Sequence, residues 1–273
     1  MRFVIERLSP RLTRIEAFNS EFVYLLEGDE RAALLDTGSG FGRLRATVSQ
    51  LTKLPVTVLL THGHVDHAMG AAEFETVYLS PADRAVFLAH GERRFRMECM
   101  RLSPAFPELT EADYIPTADP DRFLPLHAGD VFDLGGEQIE VFACPGHTPG
   151  SVCLLLRRER LLLLGDACNG LTFLFDAFST GVRDYRAALC RLRHDTDGKY
   201  DGVLLSHAGG QPYPDMVDSC IAVCDDILCG NTDDQPFTFM GQHALLAKAF
   251  SFEKGRLDGG HANIVYSEET KRK

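Results

Sequence analysis

The sequence has no tryptophan, and none of its apolar stretches approaches the roughly 20 residues that a membrane-spanning helix needs. Residues 1–7 lack the apolar segment and the small-residue cleavage site of an export signal. Basic residues are outnumbered, 28 against 39 acidic ones, which gives a formal net charge of −11. This charge argues against nucleic acid and, more weakly, against an anionic membrane as partner. We therefore expect a cytoplasmic protein that acts on a small-molecule substrate, and the sequence leaves a homo-oligomer open.

The chain has 273 residues, of which 45% are hydrophobic and 25% are charged, as in an ordinary globular protein. This length suits one large domain or two small ones, and we expect a single domain over residues 1–273. Eight cysteines without an export signal favour reduced thiols over a disulfide framework. We expect the Arg-rich and then Pro-rich stretch 81–125 to form a helical lid-like insertion, and residues 211–273 to form a helical extension.

Short apolar runs followed by helix-like patterns occur in both halves of the chain. Strands are predicted at 22–26, 32–35, 56–60, 77–79, 130–132, 138–142, 151–156, 161–164, 203–205 and 263–266. Helices are predicted at 42–53, 83–101, 183–194, 214–229 and 242–249. This order indicates an α+β protein in which two mixed sheets pack face to face, with helices outside them.

Several polar residues lie where apolar strand-like runs end. They are Asp36, His62 with His64, His147, Asp166 and His207. Because loops at one edge of a sheet usually build the functional site, we expect these side chains to lie close together. Residues i and i+2 of an extended segment point the same way, so His62 and His64 can bind one ion together. Asp66 and His67 then begin a helix and can face a second ion nearby.

The string from His62 to His67 holds three imidazoles and one carboxylate within six residues, which makes little structural sense without a cation. Imidazole and carboxylate are ligands that zinc, iron and manganese accept. We expect two divalent metal ions, with zinc favoured over iron or manganese. Their seven ligands would be His62, His64 and His147 for one ion, Asp66, His67 and His207 for the other, and Asp166 between them.

Taken together, these motifs resemble those of the metallo-β-lactamase-fold hydrolase superfamily. The resemblance rests on 61–67, with Asp36-Thr37-Gly38 before it and 145–151, Gly165-Asp166 and Ser206-His207 after it. It covers about residues 20–210 and implies an αββα sandwich with a dinuclear site on the same seven side chains. It also implies that Asp36 supports a metal-binding histidine. Met69 replaces a glycine that is usual in the family, a change expected to alter the shape of the pocket but not metal binding.

The resemblance implies a metal-dependent hydrolase. A hydroxide bridging the ions would attack an ester, thioester, lactone or amide, and Asp66 would orient it and move its proton. Flavo-diiron proteins usually have Glu where this chain has His64, which argues against that branch of the family. Among the remaining branches, the chain resembles small cytosolic hydrolases such as glyoxalase II and lactonases. Two alternatives stay open, a mononuclear-iron persulfide dioxygenase and a non-catalytic metal-binding scaffold.

Other residues carry weaker signals. In the insertion, Arg93, Arg94, Arg96 and Arg101 favour a solvated helix face over an anion-binding pocket. The thiols of Cys220, Cys224 and Cys229 are expected to pack in the core. His261 is a lesser candidate for approaching the site from the C-terminal end. The remaining histidines, His90, His127, His194 and His243, are expected to be structural or on the surface.

Overall fold

The computed structural model describes residues 3–207, 212–251 and 253–273. The chain forms two compact units, one of Met1–Glu140 with Ser206–Ala208 and the other of Val141–Leu205 with Gly209–Lys273. Each unit contains strands, helices and a hydrophobic cluster of its own. The α+β class expected from the sequence is confirmed.

A seven-stranded sheet, with its strands in chain order, forms the centre of the first unit. The strands are β1 (Val4–Arg7), β2 (Leu12–Glu16), β3 (Phe22–Glu27), β4 (Ala32–Leu35), β5 (Val56–Leu59), β6 (Val77–Leu79) and β7 (Leu124–Pro125). β1 to β4 pair antiparallel, and β4 to β7 pair parallel. Since β4, β5 and β6 run in the same direction, the loops that follow them lie at one edge of the sheet.

Four helices accompany this sheet. They are α1 (Leu44–Leu51), α2 (Val65–Ala68), α3 (Arg84–His90) and α4 (Arg93–Met100). Apolar side chains of α1 and α3, among them Leu44, Val48 and Phe87, pack with those of the strands in the hydrophobic cluster of this unit. Both α3 and α4 belong to the predicted insertion, whose remainder consists of short 3-10 turns and β7. The unit also contains β8 (Val131–Asp133).

The next strand, β9 (Gln138–Ala143), begins in the first unit as the antiparallel partner of β8 and continues into the second. The later strands are β10 (Val152–Leu156), β11 (Leu161–Leu163), β12 (Thr172–Leu174), β13 (Gly202–Leu204), β14 (Gln235–Phe239), β15 (Gln242–Leu246), β16 (Phe250–Ser251), β17 (Gly255–Arg256) and β18 (Ile264–Tyr266). One sheet of the second unit has the order β13-β11-β10-β9, and another has the order β12-β18-β15-β14.

The helices of the second unit are α5 (Val182–Thr196), α6 (Met216–Cys229) and α7 (Glu268–Arg272). α5 buries a face that includes Tyr185, Leu189 and Leu192, and this face packs with α6 in the larger hydrophobic cluster. α6 ends at Gly230, whose φ of +74° is the left-handed conformation that commonly terminates a helix. Among the described residues, no helix combines the length and the apolar character needed to cross a membrane.

One predicted helix is wrong. Residues 242–249, predicted as a helix, instead contain β15, which pairs with β14 across a two-residue turn at Met240 and Gly241. Both turn residues have positive φ, the backbone that this kind of hairpin requires. The C-terminal extension is accordingly helical in α6 and α7 but consists mainly of strands between them.

Candidate metal centre

In the first unit, the expected ligands follow the ends of the parallel strands β4 and β5. Asp36 comes directly after β4 and has a φ of +65°, a conformation that few residues other than glycine adopt. The segment from Thr61 to His64 leads from β5 into α2, whose N-cap is His64. Asp66 and His67 lie within the single turn of α2. The parallel strands thus bring these two stretches of sequence together at one edge of the sheet.

Asp36 organises the histidines around it. Its Oδ2 atom lies 2.9 Å from Nδ1 of His67, in a buried contact. The same carboxylate accepts hydrogen bonds from the backbone N–H of Thr61 at 2.7 Å and from the Thr61 hydroxyl at 2.8 Å. Oγ1 of Thr61 also lies 3.0 Å from Nδ1 of His62. Because a carboxylate can only accept, Nδ1 of His67 donates, and the Thr61 oxygen is left to accept from His62. The lone pair of each neutral ring is therefore on Nε2.

Three donor atoms of the first unit lie close together. Nε2 of His67 lies 3.3 Å from Nε2 of His207, and Oδ2 of Asp66 lies 3.8 Å from the first nitrogen and 3.5 Å from the second. Two ligands that bind one zinc ion tetrahedrally at 2.0–2.1 Å are about 3.3 Å apart. The separations therefore match those of three ligands around a shared ion.

His207 is held beside these residues by the start of β3. The backbone N–H of Phe22 donates to the carbonyl of Ser206 at 2.7 Å, and Glu21 forms an isolated antiparallel bridge with His207. The buried carboxylate of Glu21 accepts from the backbone N–H groups of Asn19 at 2.6 Å and Ser39 at 3.0 Å. Burial raises the pKa of Glu21, and the negative charge of Asp66 adds to this rise.

The turn that carries His62 and His64 is tightly packed, and the ligand nitrogens of the two residues lie within 4.8 Å of each other. The backbone N–H of Gly63 donates at 2.8 Å to the fully buried carboxylate of Asp83. A Cβ atom at Gly63 would lie only 2.9 Å from the backbone of Asp83 and of Phe87, so glycine is required there. The ring of His90 stacks on His64 at 4.2 Å, and Nδ1 of His90 accepts from Val65 N–H at 3.3 Å.

The second unit contains the other two predicted ligands. Nε2 of His147 lies 3.7 Å from Oδ2 of Asp166. Nδ1 of His147 donates to the carbonyl oxygen of Phe173 at 2.6 Å, which again leaves the lone pair on Nε2. The hydroxyl of Ser179 donates to the carbonyl of His147 at 3.1 Å, and the backbone N–H of Thr180 donates to that of Gly146 at 2.9 Å. Within this unit, His147 and Asp166 thus form a second pair of donors, in which hydrogen bonds fix His147.

The chemistry of these donors fits a divalent transition metal. A metal-binding imidazole must present a lone pair, and such rings commonly donate their other N–H to a carboxylate or carbonyl. His67 and His147 do so directly, and His62 does so through the Thr61 hydroxyl. The carboxylates of Asp66 and Asp166 add the hard oxygen ligands that zinc, iron and manganese share. Divalent metal binding is therefore the chemistry that the residues of both units support.

Four residues that position the candidate ligands were not identified from the sequence: Thr61, Asp83, His90 and Phe173. Asp83 lies 20 residues after Gly63 in the chain, and Phe173 lies 26 residues after His147. No local sequence pattern therefore indicates these contacts. His90 was expected to be structural, and its ring supports His64 directly. Of these four residues, Thr61 is the one whose sequence position gives a signal, because it directly precedes the histidine string.

The remaining candidates have ordinary structural roles. The guanidinium of Arg96 is buried and donates to the carbonyls of Ser39, Gly40 and Ile115, so it lies on neither a solvated face nor an anion pocket. Met69 is fully buried in the hydrophobic cluster of the first unit. Nδ1 of His261 lies 2.7 Å from Oδ1 of Asp215.

The three cysteines of α6 differ in their surroundings. Cys220 and Cys224 are fully buried in the larger hydrophobic cluster of the second unit. Burial raises the pKa of the Cys224 thiol. Cys229, at the end of the helix, is exposed. Core packing, expected for all three, therefore holds for the first two only.

Comparisons with known proteins agree with this arrangement. A family model described as the metallo-beta-lactamase superfamily matches residues 18–200. The acyl-coenzyme A thioesterase MBLAC2 of Gallus gallus is 28% identical over 207 residues, which are 70% of this chain and 74% of that protein. The hydroxyacylglutathione hydrolase GloC of Haemophilus influenzae is 25% identical over 155 residues, 56% of this chain and 68% of that protein.

Solved structures show the same fold. A metallo-beta-lactamase from Pontibacter korlensis superimposes with a TM-score of 0.60 at 17% identity, and the match covers 82% of this chain and 100% of that one. At this identity the likeness concerns the fold alone, whereas the family model spans well over half of the chain. The chain belongs to the metallo-beta-lactamase superfamily.

Proposed function

We propose that this chain hydrolyses a thioester with the help of two divalent metal ions. The proposed ligands are His62, His64, Asp66, His67, His147, Asp166 and His207. The observation that carries the proposal is the convergence of Asp66, His67 and His207, whose donor atoms lie 3.3–3.8 Å apart.

The relatives support the reaction class. One is named an acyl-coenzyme A thioesterase and another a hydroxyacylglutathione hydrolase, and both names describe removal of an acyl group from a carrier. The hydrolase class expected from the sequence is thus confirmed within the superfamily. A thioester is our choice among the ester, thioester, lactone and amide substrates that such a site suits, because a coenzyme A thioester is what the first name states.

The bound metals would lower the pKa of water from 15.7 to about 7 and would polarise the acyl carbonyl. We assign to Asp66 the orientation of the attacking water and the acceptance of its proton. This role is supported by the exposure of its side chain, which is 21% against 1% for His67. The proton then passes to the leaving sulfur as the C–S bond breaks and the C–O bond forms. Asp36 and Thr61 hold His67 and His62 in the tautomer that this task requires.

We propose zinc as the native metal and a reducing compartment, the cytosol, as the setting. Zinc is supported by the preponderance of imidazole among the seven proposed ligands. The reducing setting is supported by the eight cysteines, none of which forms a disulfide in the described part of the chain.

The test is release of free thiol from acetyl-coenzyme A and butanoyl-coenzyme A by protein loaded with zinc, manganese or iron(II). We expect turnover with at least one metal and a loss of about a hundredfold or more in Asp66→Asn. Asp29→Asn, an exposed carboxylate beside Arg11, serves as the matched control and should keep full activity. Metal binding without turnover of thioester, ester, lactone or phosphodiester would favour the scaffold. One iron per chain with thiol-dependent oxygen uptake would favour the dioxygenase.

A further inference from the structure

The sheet β12-β18-β15-β14 of the second unit has two different faces. Leu174, Ile264 and Tyr266 point to one face and pack in the larger hydrophobic cluster with α5 and α6. The opposite face is set by the register, which places Phe173 beside Val265 and Phe237 beside Ala244. A sheet face turned away from the main core is usually polar, but this one is not.

Phenylalanine side chains cover that opposite face. The ring of Phe173 lies 5.1 Å from Phe175, 5.6 Å from Phe237 and 5.1 Å from Phe239, measured between ring centroids. We call these four residues the aromatic face. Phe239 is 37% exposed, and so is Met240 beside it in the turn, whereas the other three rings are half-buried. A partly exposed group of four phenylalanines indicates a surface that binds an apolar group.

The aromatic face is directly connected to a proposed metal ligand. The residue at its centre, Phe173, is also the residue whose carbonyl accepts the 2.6 Å hydrogen bond from Nδ1 of His147. Ser179, four residues after Phe175, donates to the carbonyl of His147. An acyl carbonyl that reacts near His147 would therefore have the aromatic face within reach of its chain.

We propose that the aromatic face binds the apolar acyl chain of the thioester, so that the enzyme favours acyl groups of medium and long chain. This inference rests on the proposed function for the position of the reacting carbonyl. A hydrocarbon chain suits the surface because the aromatic rings and Met240 offer extended apolar area. Each methylene removed from water contributes a factor of up to about four to binding.

The test compares acetyl-, butanoyl-, octanoyl- and dodecanoyl-coenzyme A as substrates of the metal-loaded full chain. In the wild type we expect kcat/KM to rise with chain length. Phe239→Ala should lower kcat/KM for the dodecanoyl substrate about tenfold and leave the acetyl substrate within twofold. Phe239→Leu should recover most of the loss. Val4→Ala truncates an apolar side chain of β1 that is 60% exposed, and it should change neither value.

A binding measurement tests the surface independently of catalysis. Titration of metal-free protein with dodecanoate should give saturable binding with a negative heat-capacity change, which Phe239→Ala weakens about tenfold and Val4→Ala does not. Absence of dodecanoate binding would overturn the inference.

The outcomes separate this inference from the proposed function. If no thioester of any length is cleaved, the proposed function fails, and the dodecanoate titration still decides about the aromatic face. If acetyl-coenzyme A is cleaved but chain length has no effect, the function stands and the inference is wrong. The inference is also wrong if Phe239→Ala changes all substrates equally, or if it abolishes self-association of the chain without changing chain-length selectivity.

Discussion

Oδ2 of Asp36 lies 2.9 Å from Nδ1 of His67, and both side chains are 1% exposed. The same oxygen accepts the hydroxyl of Thr61, which in turn lies 3.0 Å from Nδ1 of His62. One buried carboxylate at the end of β4 thus fixes the tautomers of two imidazoles that follow the neighbouring parallel strand β5. We call these hydrogen bonds the relay. We expect the relay to determine metal affinity, because it fixes the orientation of both Nε2 lone pairs independently of a bound ion.

Replacing the carboxylate should weaken metal binding without removing a ligand. Asp36→Asn no longer stabilises the donating form of His67, and we expect a loss of about 10- to 100-fold in zinc affinity. Competition with a coloured chelator measures this affinity. Asp29→Asn, on the surface, should bind zinc as the wild type does. Unchanged affinity in a folded Asp36→Asn variant would contradict the role assigned to Asp36.

Substitutions of Thr61 separate the effect of its hydrogen bonds on zinc affinity from the effect of its packing. Thr61→Val keeps the shape of the side chain but cannot bridge Asp36 and His62, so we expect zinc affinity to fall about tenfold or more. Thr61→Ser keeps the hydroxyl and should restore most of that affinity. If Val and Ser variants bind zinc equally well, the relay through Thr61 does not operate.

The buried guanidinium of Arg96 should matter for stability rather than for chemistry. It donates to the carbonyls of Ser39, Gly40 and Ile115, and burial lowers its pKa. Arg96→Met removes the donor to the carbonyls of Ser39 and Ile115, while the carbonyl of Gly40 still accepts from the backbone N–H of Ile115. We therefore expect the free energy of unfolding to fall by about 3 kcal/mol. Urea denaturation measures the change.

Arg94, in the same helix but with its side chain 91% exposed, is the control for Arg96. Arg94→Met should change the free energy of unfolding by less than about 0.5 kcal/mol. Equal effects of the two substitutions would show that the buried contacts of Arg96 contribute nothing specific.

The ion pair of Arg256 and Asp258 predicts a small dependence of stability on pH. Hydrogen bonds from Arg256 lower the pKa of Asp258 from 3.8 to about 2. A carboxyl whose pKa is depressed by folding stabilises the protein above its unfolded pKa, and this contribution is lost as the pH falls from 3.8 to about 2. Because the Asp258 side chain is 50% exposed, we expect Asp258→Asn to cost at most about 1 kcal/mol at pH 7.

Unfolding of wild type and Asp258→Asn should therefore be compared at pH 7 and near pH 2. The difference in free energy should shrink at the acid end, whereas Glu253→Gln, an exposed carboxyl nearby, should show none at either pH. A difference that grows on acidification would contradict the direction of the pKa shift.

Most of the strands could be predicted from the sequence because each is a short apolar run bounded by turn residues. The runs at 32–35 and 77–79 coincide with β4 and β6. The stretch 242–249 resembles a helix because Leu245, Leu246 and Ala247 form a continuous apolar run, but such a run suits a strand equally well. The segment forms a strand because it pairs with β14, and this pairing depends on the positive φ of Met240 and Gly241 in the turn.

The candidate ligands could be predicted because metal binding needs several imidazole and carboxylate ligands, and these form an unusual string from His62 to His67. The residues that hold them could not, since Asp83 and Phe173 contact the ligand loops only through the folded chain. The aromatic face could not be predicted either, because Phe173 and Phe175 are more than 60 residues before Phe237 and Phe239 in the chain and the folded sheet brings them together.

The proposal of a two-metal site is tested most directly by the metal content of the purified chain after loading with zinc and removal of free ions. Elemental analysis should find two equivalents of zinc per chain in the wild type. His64→Ala should remain folded by circular dichroism, retain less than two equivalents and lose thioester hydrolysis. A folded wild-type chain that retains no metal, or a His64→Ala variant with two equivalents and full turnover, would contradict the assignment.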